Sequence, residues 1–140
     1  MTYVDTSVLA AYYCPETLSR KVQVRLGQLD APTISPLVEV ELHSAVAAKV
    51  RRRELAEADA RRILSLFQVH LADGYYRIVP IESREYQLAR SWIGSFKAPL
   101  RTLDALHLAA AFANDLSLLT ADKVLVRSAE NLRLRCELIA

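Results

Sequence analysis

Short apolar runs alternate with longer stretches of helical periodicity, and this alternation narrows the fold more than any other feature of the chain. "TYV" followed by "TSVLAAYY" reads as a buried strand running into a helix, and "ETLSRKVQVRLGQL" as an amphipathic helix ending near Gly27. "APTIS" reads as a second strand, with Pro36 at the first turn of the next helix, "LVEVELHSAVAAKVRRRE". Another helix, "EADARRILSLFQVHLADG", is stopped by Asp73 and Gly74. "YRIVPI" is the third strand, followed by a helix around "REYQLARSWIGSF". "LRTLDALHLAAAFAND" is a helix capped by Thr102, "SLLTA" a fourth strand, "DKVLVRSAENL" a last helix and "RLRCELI" a fifth strand. Strands joined by helices pair in parallel and need cover on both faces, so the predicted fold is α/β, a three-layer sandwich around a central, mostly parallel sheet of four to five short strands. No Ser/Gly-rich linker or repeat breaks the pattern, and 140 residues, 52% of them hydrophobic, suffice for a single domain spanning 1–140.

Other broad classes are excluded at this level. No apolar run approaches the roughly 20 residues of a membrane span, and the first residues, with Asp5 and no basic stretch, are not those of a secretory leader. The expectation is a soluble, cytoplasmic protein without a membrane role. Cys14 and Cys136 match no metal or redox spacing and read as reduced core thiols. A net charge of +2 is too small to mark the whole chain as a nucleic-acid binder, but Lys49, Arg51, Arg52, Arg53, Arg61 and Arg62 crowd one region.

Acidic residues carry the chemistry. In open parallel sheets, ligands bind beyond the carboxyl ends of the strands. Asp5 closes the first strand and Asp122 directly follows "LLTA", so both project from that edge. Asp104 opens the helix before the fourth strand, and Glu41 lies on the helix after the second. Taken singly, the three aspartates also suit helix N-termini, where an Asp contributes about 1 kcal/mol. Glu41 needs another account, because Leu37, Val38, Ser44 and Ala45 place it along an apolar stripe of its helix. Glu39 and His43 lie on the opposite face as an exposed pair. A buried carboxylate either takes up a proton or finds a cation, an Arg or Lys in a salt bridge or a metal ion. Carboxylates about 5 Å apart repel by roughly 3 kcal/mol per pair at an effective dielectric near 20. A divalent cation relieves this most simply, and an all-oxygen set favours Mg²⁺ or Mn²⁺ over Zn²⁺.

Four stretches, "YVDTSVL", "SPLVEVELHSAV", "LRTLDALHLAAA" and "LLTADKVL", occur in an order and spacing that resemble PIN-domain ribonucleases, specifically the VapC-like toxins of bacterial and archaeal toxin–antitoxin pairs. The resemblance covers essentially the whole chain. It implies a PIN-like fold and an acidic catalytic and metal site of Asp5, Glu41, Asp104 and Asp122, supported by the hydroxyls of Thr6, Ser7 and Thr120. It further implies a Mg²⁺-dependent endoribonuclease, with Mn²⁺ as a substitute, acting on an RNA substrate. A homodimer and an antitoxin partner covering the acidic groove complete the expectation. An acidic pocket repels a phosphodiester until bound metal reverses its sign. Arg101, three residues before Asp104, together with Arg51 and Arg52, offers RNA-phosphate contacts, and a solvated helix end is the alternative account of the basic run.

Other residues are secondary. His107 lies one helical turn after Asp104, in reach of a hydrogen bond to it or of the core, and is expected to support the fold or the site and not to catalyse; His43 and His70 have no ligand spacing. Trp92 with Phe96, and Tyr12, Tyr13, Tyr75 and Tyr76, are core or interface aromatics. Rival classes are a phosphoryl-transfer receiver or hydrolase, a binding scaffold on a nuclease fold, and a housekeeping RNA-processing or DNA-cleaving nuclease. The first wants an acceptor Asp after a central strand and a dedicated Lys, but the third strand ends in "PIESRE" and the Asp pair after the first strand is absent.

Overall fold

A computed structural model describes residues 1–140. Five strands, β1 (Thr2–Val4), β2 (Thr33–Ile34), β3 (Arg77–Ile78), β4 (Ser117–Thr120) and β5 (Cys136–Leu138), form one parallel sheet in the order β3-β2-β1-β4-β5. The connecting helices are α1 (Thr6–Tyr13), α2 (Ser19–Gly27), α3 (Pro36–Arg51), α4 (Glu57–Ala72), α5 (Ser83–Gly94), α6 (Thr102–Ala113) and α7 (Lys123–Asn131). Steps from β1 to β3 run one way across the sheet and the step from β4 to β5 runs the other. Right-handed crossovers therefore put α1 to α4 on one face and α5 to α7 on the opposite one. Packing of α1 on α2 and α3, of α3 on α4, and of α5 on α6 agrees with that division.

The central strands are those most completely buried. Tyr3 and Val4 of β1, and Leu118, Leu119 and Thr120 of β4, have no solvent exposure, as expected of parallel strands covered on both faces. Their register, Tyr3 opposite Leu118 and Val4 opposite Leu119, is extended by the Asp5 amide, which donates to the Leu119 carbonyl at 3.1 Å. The edge strands are only two and three residues long, and Glu137 on β5 is held by both Nε and Nη2 of Arg25 at 2.7 and 2.9 Å. Short, charged edges discourage pairing with other chains. Helix α6 is buried continuously from Ala105 to Ala111, so a helix apolar on all sides serves as an internal strut. No helix is long and apolar enough to cross a membrane, and both cysteines are free thiols.

Several local expectations are corrected. Thr102 is not the cap of α6 but its first residue, and Arg101 occupies the cap position without a side-chain bond. The second helix begins at Ser19, since the Ser19 hydroxyl accepts the Glu16 amide at 2.9 Å and closes a turn ahead of it. Glu39 and His43 are not an exposed side-chain pair: the His43 ring bonds the Glu39 carbonyl at 2.8 Å and packs edge-on to Phe67. Trp92 does not pack on Phe96. Helix α5 stops at Gly94, and Phe96 lies past it, left-handed at φ 59° and 93% exposed, while Trp92 meets Phe112 edge-on instead. Arg53, Asp115 and Arg133 likewise turn left-handed just after α3, α6 and α7, the position that favours glycine, and Gly74 fills it after α4.

Candidate active site

Chain direction across the sheet reverses between β1 and β4, and the crevice beyond their carboxyl ends is the place where this class of sheet binds ligands. Asp5 leaves β1 into that crevice and caps α1, accepting the Val8 amide at 3.3 Å. Two hydroxyls also donate to it, Ser7 at 2.5 Å and Thr120 at 2.6 Å. The same two oxygens accept the amides of Ala121 and Asp122, each at 3.0 Å, so the ends of β1 and β4 are knitted together through side chains. Burial still pushes the Asp5 carboxyl above the ordinary carboxylate range despite these donors.

Glu41 enters from the second turn of α3. Its Oε1 accepts the Thr6 hydroxyl at 2.7 Å and also bonds Nε2 of His107. Burial raises its carboxyl, but the His107 and Thr6 contacts more than offset burial and hold it below the usual range. Asp104 lies in the first turn of α6 and makes no capping bond; its nearest cation, Arg101, is 3.8 Å away and largely exposed. Burial, and then the charges of Asp122 and Asp5, push the Asp104 carboxyl up, against the opposing pull of Arg101 and His107. Asp122 caps α7 through the amides of Val124 and Leu125 at 2.8 and 3.4 Å. The capping account thus describes Asp5 and Asp122, while Asp104 is a half-buried acid facing other acids with no helical duty.

All of the expected acids and hydroxyls meet at this edge. The basic candidates divide. Arg101 stands beside Asp104, whereas Arg51 is ten residues beyond Glu41 on α3, about 15 Å by helical rise. Arg52 is engaged with Glu54 at 2.9 Å, and Arg61 and Arg62 pair with Glu57 and Asp59 along α4. Tyr3 and Ser35 escaped the sequence reading. Tyr3 donates or accepts with Nδ1 of His107 at 2.8 Å and with the Ser35 hydroxyl at 2.7 Å. His107 turns to Glu41 and Tyr3, not to Asp104 as its spacing suggested. A tyrosine inside a fully buried strand requires a partner for its hydroxyl, and that requirement was the one available signal.

The donor set is all oxygen and of the kind hard divalent cations accept. No three of the acids converge closely enough to enclose an ion by themselves, which suits an ion held through one or two carboxylates and its own waters. Burial raises Asp104 first and repulsion from Asp122 and Asp5 adds to it; a cation would relieve that repulsion.

The model of the PIN domain family matches residues 2–131. The chain belongs to the PIN-domain family. Solved structures agree in fold with this PIN domain. FitAcB from Neisseria gonorrhoeae is 19% identical over 97% of this chain and 96% of that one, with a TM-score of 0.69. VapC20 of Mycobacterium tuberculosis, described as a Sarcin-Ricin loop cleaving toxin, is 14% identical over 91% and 95%, with a TM-score of 0.72. VapBC-1 from nontypeable Haemophilus influenzae is 16% identical over 99% and 98%, with a TM-score of 0.67. No match was found among curated proteins.

Proposed function

We propose that this PIN domain, spanning 1–140 as a single domain, is a Mg²⁺-dependent endoribonuclease and the toxin of a toxin–antitoxin pair, at work in the cytoplasm. The observation that carries the reading is the gathering of Asp5, Glu41, Asp104 and Asp122 at the topological switch point, with Asp104 pushed up by burial and by its acidic neighbours. A structural acid cluster would be matched by buried arginine or lysine; here the one cation beside it, Arg101, is solvent-exposed. When bound, Mg²⁺ or Mn²⁺ would neutralise the scissile phosphate and lower the pKa of an attacking water. Asp5 and Glu41, each fixed by several donors, would hold the ion, with Asp104 and Asp122 completing the acidic wall. Ser7, Thr6 and Thr120 keep these carboxylates oriented, and Arg101 and the exposed Arg51 would bind RNA phosphates.

An antitoxin partner is supported by the fold shared with FitAcB and VapBC-1. Apolar side chains left outside the core, Val24 on α2, Val40 on α3, and Leu66 and Val69 on α4, offer such a partner a surface. We infer a homodimer as well, on the family resemblance. Incubation of total cellular RNA with the purified protein, with Mg²⁺ or with EDTA, beside an Asp104→Asn variant, tests the activity. Metal-dependent cleavage lost in the variant is the expected result. Cleavage that persists in EDTA or in the folded variant overturns the assignment. Light scattering at micromolar concentration should give twice the monomer mass.

A further inference from the structure

We propose that His107 is a positioning residue for Glu41, locked in orientation by Tyr3 and Ser35, and that this chain of bonds presents the second carboxylate oxygen of Glu41, Oε2, to the acidic cleft. The inference rests on the reading of Glu41 as part of a metal site. A carboxylate only accepts, so the Nε2 that meets Glu41 Oε1 carries a proton. The other ring nitrogen, Nδ1, is held by the Tyr3 hydroxyl at 2.8 Å. The Tyr3 hydroxyl in turn bonds the Ser35 hydroxyl at 2.7 Å. The bonds run without a break from Ser35 through Tyr3 and His107 to Glu41, and each of these polar groups has a partner.

Packing makes the orientation rigid. Tyr3 and Ser35 have no solvent exposure, and His107 is 2% exposed. Ser35 is the residue before α3, where a serine usually caps the helix, yet it makes no capping bond and spends its hydroxyl on Tyr3. That departure from the local preference is the clearest sign that the chain of bonds has a duty beyond helix ends. With Thr6 donating to the same atom at 2.7 Å, Oε1 of Glu41 carries two donors, and Oε2 is the oxygen left over. Glu has three side-chain torsions and a broad terminal one, so a half-buried Glu41 without this grip would sample several orientations. Groups that orient metal-binding side chains in this way typically change metal affinity by 10- to 100-fold when removed.

The test measures Mn²⁺ binding by calorimetry on folded, metal-free protein, so that its readout is independent of RNA cleavage. Unaltered protein and Glu41→Gln establish the site. His107→Leu should weaken Mn²⁺ binding by about 10- to 100-fold, Tyr3→Phe by a smaller factor, and His107→Gln, which keeps an N–H in reach of Glu41, should recover most of the loss. Tyr3→Phe and His107→Gln keep the volume nearly constant, so they remain informative should His107→Leu fold poorly. Mn²⁺ affinity lost in Glu41→Gln but unchanged in Tyr3→Phe and His107→Leu overturns the positioning role alone. Affinity unchanged in Glu41→Gln overturns the metal-site reading and the positioning role with it.

Discussion

The molecule contains two histidine–tyrosine pairs that look alike as pairs and differ in where they lead. At the carboxyl edge of the sheet, Tyr3 bonds His107, and His107 passes the contact on to Glu41 and the acidic cleft. Between α1 and α4, Tyr13 bonds Nδ1 of His70 at 2.6 Å and the Tyr76 hydroxyl at 2.6 Å. There the contacts end among aromatic rings: Tyr13 lies edge-on to Phe67 and to Tyr12, and His70 stacks on Tyr75. No carboxylate joins this second group. Burial pushes the Tyr13 and Tyr76 hydroxyls far above the ordinary tyrosine range, so both remain neutral donors inside an apolar cluster. The same two residue types therefore close on an aromatic cluster in one place and on an acid at the cleft in the other. What separates them is whether the last partner is a neutral ring or an acid facing solvent.

The largest predicted effect sharpens that division. Glu41→Gln, which ends the first pair in an amide, should lower RNA cleavage by about 100-fold or more, since several kcal/mol of metal-assisted stabilisation depend on the carboxylate. Gel analysis of Mg²⁺-dependent cleavage checks it, and near-normal activity would erase the distinction between the pairs. Tyr13→Phe acts on the second pair. It leaves His70 and Tyr76 short of a partner and should cost about 1–2 kcal/mol in urea unfolding, with cleavage by the folded protein unchanged.

A smaller effect has the opposite sign. Asp104 and Asp5 both have raised carboxyls, so their contribution to stability is present in acid and is lost as pH rises through their folded values. Asp104→Asn removes one of these charges. In metal-free buffer at neutral pH it should raise Tm by about 3 °C, with the gain vanishing in acid, while cleavage is lost; a lowered Tm would mean that the acids are held by cations after all. The smallest change lies far from both pairs. Phe96→Gly relieves a left-handed, 93% exposed residue and should add about 0.5 kcal/mol in chemical denaturation.

Much of this was legible before folding was considered. Asp5 and Asp122 announce themselves by closing apolar runs short enough to be parallel strands, and Glu41 by its phase on a helix whose apolar stripe it interrupts. Those signals are local, because strand and helix periods are properties of a few consecutive residues. Phe96 misled for the same reason. Its spacing from Trp92 is helical, but the helix that would make them neighbours stops two residues earlier.

The sequence by itself determined the class of sheet, the edge at which chemistry would gather and the acids that gather there, since periodicity, strand ends and charge are all written along the chain. Only the tertiary structure decided that Tyr3 and Ser35 join His107, and that His107 bonds Glu41 and not its near neighbour Asp104. Tyr3 is 104 residues from His107, and His107 is 66 from Glu41. Contacts over such separations come from the way strands and helices pack, and no local pattern encodes which buried donor will find which acceptor.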